Sequence, residues 1–151
     1  MSLDDVGNIG ELIGAIGVIA TLIYLAVQIR QNTSALKATS HQETTREASD
    51  FVAQMAGDAD VARIFNTGSK NWNDLVGEER LRFSMLLFRV FFNFQNLYSL
   101  HQAGGIDEEY WDSQLQVMMW FMNLPGVRSW WDIGKGQLRK GFVEFMERKV
   151  D

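Results

Sequence analysis

The chain has 151 residues, a net charge of −5 and no cysteine. The missing cysteine excludes disulfides, thiol catalysis and thiolate metal sites. Acidic and basic residues are mixed along the chain without a Lys/Arg cluster, which argues against a nucleic-acid partner. One proline and the lack of alternating strand patterns favour an all-α fold, and the length supports one domain.

An apolar segment near the start of the chain is the clearest feature of the sequence. Residues 12–29 (LIGAIGVIATLIYLAVQI) run for 18 positions without a charge, which is typical of a membrane-spanning helix. A cleaved signal peptide would begin with positive charge, whereas Asp4 and Asp5 precede this segment and the first basic residue is Arg30. We therefore expect a retained transmembrane helix over residues 1–30, with the lipid bilayer as its surroundings.

The charges that flank this segment predict its orientation. Arg30, Lys37 and Arg46 follow it, and the residues before it carry only acidic charges. Under the positive-inside rule, the flank richer in lysine and arginine stays in the cytoplasm. The expected arrangement has the N-terminus outside and the C-terminal part in the cytoplasm.

Four glycines fall on one face of the predicted transmembrane helix. Their spacings of three, four and three residues match the helical period, and three larger residues continue the same face. We call this face the glycine stripe: it consists of Gly7, Gly10, Gly14, Gly17, Thr21, Tyr24 and Gln28. Small residues at such spacing let helix backbones approach closely in lipid. The stripe therefore predicts contact with a second copy of the chain or with another membrane protein.

Glu11 lies beside the glycine stripe, near the expected outer face of the membrane. One interpretation is a carboxylate that extends to water, which polar groups near helix ends do at low cost. The other is a ring of carboxylates at the mouth of an oligomeric pore lined by the stripe.

The sequence after the span predicts a stalk and then a small cytoplasmic bundle. Residues 31–56 lack proline and glycine and predict a helical stalk that continues the first helix, although residues 32–34 (NTS) would also suit the cap of a new helix. Residues 57–151 are assigned to the bundle. Its expected elements are a short helix capped by Asp58 or Asp60 and ending near Gly68, a loop at 69–77, a helix at 78–102, a helix capped by Asp107, a short helix beginning at Pro125 and a helix at 137–149.

The helix at 78–102 is apolar on most faces, which is typical of the central helix of a bundle. A second transmembrane span is the rival interpretation. Arg89 and Asn93 argue against it, because charge at bilayer depth is costly.

Tryptophans and a tyrosine in the later helices have three interpretations. Trp111, Trp120, Trp130, Trp131 and Tyr110 suit a hydrophobic core, a pocket for an apolar ligand, or a membrane interface. Trp130 and Trp131 are adjacent and cannot both face the same way on a helix. We therefore expect one of them to be partly exposed, as a contact for lipid headgroups or a partner.

No pattern in the sequence indicates catalysis or a cofactor. His41 and His101 lack the glutamate three residues earlier that carboxylate-bridged metal sites in helical bundles use. Gly-x-Ser-x-Gly and phosphate-loop motifs do not occur. We expect no bound metal or cofactor and no enzymatic activity.

Three segments of the chain resemble a group of short bacterial membrane proteins. They are residues 6–16 (VGNIGELIGAI), 23–33 (IYLAVQIRQNT) and 124–131 (LPGVRSWW). Members of this group are uncharacterised, and have one N-terminal transmembrane helix and a helical cytoplasmic part. The resemblance implies the same fold and a location in the bacterial inner membrane, and it brings no functional residues with it.

These observations support three functional hypotheses. The first is a scaffold or accessory subunit that self-associates through the glycine stripe and has no catalytic role. The second is a homo-oligomeric ion channel lined by the N-terminal helix. The third is a membrane-tethered sensor of an apolar ligand.

Overall fold

A computed structural model describes residues 3–150, and the side chains of Glu11 and of residues 13–150. Over these residues, all regular secondary structure is helical, which confirms the predicted all-α fold with one long N-terminal helix. The α-helices are α1 (Leu3–Gly57), α2 (Ala59–Lys70), α3 (Glu78–Gln102), α4 (Glu108–Met122), α5 (Pro125–Gly134) and α6 (Lys140–Val150). Short 3-10 turns cover Trp72–Asp74 and Lys135–Gln137.

The chain divides into two compact units, residues 1–39 and residues 40–151. The first unit contains the start of α1, where an 18-residue window has a mean hydropathy of 1.8 and no buried residue. By length and composition, α1 is the one helix of the described chain that could cross a membrane. The alternative of a new helix capped near residue 32 is not observed. Thr33 instead donates its hydroxyl hydrogen bond to the Ile29 carbonyl of its own helix, at 2.9 Å.

The second unit begins at Ser40, earlier than the predicted start of the bundle at residue 57. Ser40 and Thr44 are buried, and Phe51 packs against the hydrophobic core. The hydroxyl groups of Thr44 and Tyr110 also share a hydrogen bond, which joins α1 to α4. Residues 40–56 of the predicted stalk are therefore part of the bundle, because they contribute to its packing.

Local signals define the starts of three helices as predicted. Asp58 caps α2, where its carboxylate accepts hydrogen bonds from the backbone N–H groups of Asp60 at 2.9 Å and Val61 at 3.2 Å. Asp107 caps α4 in the same way, and Pro125 is the first residue of α5. The first N–H groups of a helix have no partner within the helix. The two aspartates accept hydrogen bonds from such groups, and proline has no N–H group to satisfy.

Gly68 lies inside α2 rather than at its end, since the helix continues to Lys70. A Cβ atom built on Gly126 of α5 would lie 1.7 Å from the Gly68 carbonyl oxygen. A Cβ atom on Gly68 would lie 2.6 Å from side-chain atoms of Leu75 and Phe83. The missing side chain of Gly126 lets α5 lie against the α2 backbone at Gly68, and the missing side chain of Gly68 leaves room for Leu75 and Phe83. The helix ends two residues after Gly68, close to its predicted end.

Helix α3 is the central element of the second unit and spans the predicted residues. It packs against α2, α4 and α5. Its buried side chains are Phe83, Leu86, Leu87, Val90, Phe91, Phe94 and Leu97. The last helix begins three residues later than predicted, because a 3-10 turn and the extended Leu138 precede it.

Gly126→Ala should destabilise the second unit strongly, because the new methyl group would overlap the Gly68 carbonyl oxygen. Overpacking of this kind costs about 3 kcal/mol. Gly141→Ala is a matched control, since a Cβ at Gly141 meets no atom within 4 Å. It should leave the free energy of unfolding unchanged or raise it by up to about 1 kcal/mol.

The measurement is urea unfolding of the full chain followed by tryptophan fluorescence, which reports on the second unit because all five tryptophans lie there. Equal midpoints for Gly126→Ala and the wild type would contradict the close approach of α2 and α5.

Candidate functional site

The glycine stripe is exposed along the described part of the first unit. Gly14, Gly17, Thr21, Tyr24 and Gln28 all lie in α1 and are exposed. A Cβ atom built on Gly14 or Gly17 would meet no neighbouring atom within 4 Å. The described residues of the chain therefore leave this face open to a second helix.

Two hydrogen bonds within the stripe pair one donor of Thr21 and one donor of Gln28. Thr21 donates from Oγ1 to the Gly17 carbonyl oxygen at 2.9 Å. Gln28 donates from Nε2 to the Tyr24 hydroxyl oxygen at 2.9 Å. Polar groups paired within their own helix can enter an apolar environment at lower cost than unpaired groups.

Glu11 is exposed beside the stripe. Its exposure is compatible with a carboxylate that extends to water and with a carboxylate at the mouth of a pore. Gly7 and Gly10 lie within the bounds of α1, but their surroundings fall outside the described residues.

The expectation that Trp130 or Trp131 is partly exposed was wrong. Their exposed fractions are 1% and 4%. Both rings contact Phe91, at centroid distances of 5.4 Å for Trp130 and 5.0 Å for Trp131. Although adjacent on α5, they pack into the same core because neighbouring elements cover α5 on more than one side. The exposed tryptophan is Trp120 of α4, at 55%.

An open apolar pocket of about 300 Å³ lies within the second unit, between α1, α2, α3 and α4. Its aromatic residues come from all four helices, and Trp120 lies among them. The apolar lining consists of Ala48, Phe51, Val52, Phe65, Val90, Phe94, Val117, Trp120 and Phe121. The phenylalanine rings brace one another, with centroid distances of 5.6 Å for Phe94 and Phe121 and 5.8 Å for Phe51 and Phe65.

Four polar side chains complete the pocket: Glu47, Arg89, Asn93 and Gln114. Arg89 donates to the Gln54 side-chain oxygen at 3.0 Å, and its other terminal nitrogen lies 3.4 Å from a Glu47 carboxylate oxygen. In the sequence, Arg89 and Asn93 argued only against a second membrane span. A charge and an amide one turn apart in the mostly apolar middle of α3 were the available signal for this pocket.

The two histidines contact the first turn of α4. His41 stacks on Tyr110 at 4.0 Å, and its Nε2 lies 3.1 Å from an Asp107 carboxylate oxygen. His101 stacks on Trp111 at 4.2 Å, and its Nε2 lies 3.2 Å from a carboxylate oxygen of Glu108. Across the described residues, no group of three or more His, Asp or Glu side chains is arranged to hold a metal ion.

No protein-family model matches this sequence, and no curated protein or solved structure is significantly similar to it. The resemblance to uncharacterised bacterial membrane proteins therefore stays a prediction, and the residues themselves carry the functional argument.

Trp120→Phe should remove most of the tryptophan fluorescence that acrylamide quenches, because the other four tryptophans are buried. Trp130→Phe is the matched control and should leave the quenchable fraction nearly unchanged. The measurement is a Stern–Volmer titration of the full chain. Equal quenching of the wild type and Trp120→Phe would contradict the assigned burial.

Proposed function

We propose that this chain is a bacterial inner-membrane protein, anchored by the first part of α1, that self-associates through the glycine stripe. Its second unit acts as a scaffold or accessory subunit without a catalytic role. The N-terminus lies outside and the second unit lies in the cytoplasm.

The observation that carries this proposal is the exposure of the apolar residues in the first unit. Every residue from Ile13 to Ile29 is exposed, and the segment contains no charge. Exposed apolar surface is unfavourable in water by about 25 cal/mol per Å². Contiguous apolar surfaces of this kind mark membrane or protein contacts. A bilayer removes the whole segment from water without requiring any other part of the chain.

Self-association is supported by the position of the glycines. A glycine that faces lipid gains little, whereas a glycine at a helix–helix contact allows the backbones to approach. Gly14 and Gly17 have open space beside them, so a helix from another chain can fit there.

The hydrogen bonds of Thr21 and Gln28 favour a packed helix contact over a water-filled pore. Each side chain donates to an acceptor one turn earlier in its own helix. One donor of each side chain is therefore satisfied without water. The orientation is supported by Arg30 and Lys37, which follow the apolar segment, as the positive-inside rule requires of a cytoplasmic flank.

Gly14→Leu should abolish or strongly reduce self-association, because the larger side chain separates the helix backbones at the stripe. Ala26→Leu makes a comparable small-to-large change on the opposite face of α1 and should retain the oligomer. The measurement is sedimentation equilibrium of the full chain in mild detergent. If Gly14→Leu and the wild type form the same oligomer, the glycine stripe is not the contact between the copies.

Planar-bilayer recording distinguishes the scaffold from a pore. Reconstituted oligomers are expected to pass no current. Current whose ion selectivity changes in Glu11→Gln would contradict the scaffold proposal and support carboxylates at a pore mouth.

A further inference from the structure

The open apolar pocket of the second unit has no role in membrane anchoring or in the glycine stripe. It occurs where four helices meet, and its volume of about 300 Å³ is at the lower end of small-molecule sites. Methylene groups are similar in size to a water molecule, which occupies about 30 Å³ in the liquid. The pocket therefore accommodates a chain of about ten carbons.

The walls favour an apolar occupant. Phe51, Phe65 and Phe121 contact one another in edge-to-face arrangements with centroid distances of 5.8–6.2 Å. Because each ring is held by the other two, the pocket does not close by rotation of one side chain. Trp120 and Val117 line the same pocket and are exposed, so an occupant would cover apolar surface that water now reaches.

The polar side chains of the pocket offer hydrogen-bond donors. Asn93 and Gln114 are half-buried, and their amide groups hydrogen-bond to no described residue. Arg89 is the cation of the lining, and its separation of 3.4 Å from Glu47 is longer than the roughly 2.7–2.9 Å of a strong charge-assisted hydrogen bond. An anionic group that displaces the Glu47 carboxylate can therefore take over this weak contact with Arg89 and accept hydrogen bonds from the amides as well.

We propose that this pocket binds a single-chain amphiphile of about ten carbons with an anionic head, of the medium-chain carboxylate type. The chain lies among the phenylalanine rings, and the carboxylate accepts hydrogen bonds from Arg89 and from the amides of Asn93 and Gln114. An amphiphile with a cationic head is disfavoured, because it would compete with Arg89 for the Glu47 carboxylate and a quaternary ammonium can accept no hydrogen bond from Asn93 or Gln114. A neutral alcohol of the same length would bind more weakly, because its head group has no negative charge to attract the Arg89 guanidinium.

The test uses a bromine atom on the ligand as a short-range quencher of Trp120. The full chain in phosphatidylcholine nanodiscs is titrated with 10-bromodecanoate, 10-bromodecanol and 10-bromodecyltrimethylammonium. The signal from Trp120 is the difference between the wild type and Trp120→Phe, which removes the contribution of the other four tryptophans. Saturable quenching is expected with the carboxylate. The half-saturation concentrations of the alcohol and the cation should be at least tenfold higher.

Two pairs of matched variants locate the site. Arg89→Gln removes the cation, and Arg82→Gln changes an arginine of the same helix that pairs with Asp60 and Glu78 away from the pocket. Ala48→Leu fills the pocket from α1, and Ala56→Leu makes the same change on α1 outside it. Arg89→Gln and Ala48→Leu should each raise the half-saturation concentration at least tenfold, and both controls should stay within twofold of the wild type.

The proposal is overturned if Ala48→Leu, with an unchanged melting temperature, binds the carboxylate like the wild type. Equal quenching by the carboxylate and the cationic probe would also overturn it. Ala48→Leu keeps the test decisive if Arg89→Gln fails to fold, because Ala48 is exposed.

Discussion

The close approach of α2 and α5 is the constraint on which the second unit depends. At Gly68 and Gly126 the two backbones touch, and neither position has room for a methyl group. This contact holds α5 where Trp130 and Trp131 reach Phe91 of the central helix. It also holds α2 where Phe65 can form one wall of the apolar pocket. Two residues without side chains therefore determine where several of the largest side chains lie.

The central helix α3 has two different roles along its length. Phe83, Leu87 and Phe91 enter the core, whereas Arg89 and Asn93 turn toward the pocket. Helical periodicity separates these sets, because positions three and four residues apart share a face. The aromatic residues do not form a uniformly closed core, because some of their rings line an open pocket between α1, α2, α3 and α4.

The first unit follows a different physical principle. Its apolar side chains from Ile13 to Ile29 are exposed, and Thr21 and Gln28 each donate one hydrogen bond within their own helix. A helix satisfies its backbone hydrogen bonds internally, which suits an environment without water. Burial stabilises the second unit, whereas the proposed bilayer would take that role in the first.

The sequence by itself determined the helices and several of their ends. Asp58, Asp107 and Pro125 act on the adjacent turn, so their effect does not depend on the rest of the fold. The apolar segment of α1 is also a local feature, because it can be read from consecutive residues without the rest of the fold. Only the tertiary structure decided that Trp130 is buried, that Trp120 is exposed, that Gly68 lies at a helix crossing, and that α1 joins the bundle from Ser40. The pocket belongs with these features, because burial and open space depend on contacts between residues that are distant in the chain.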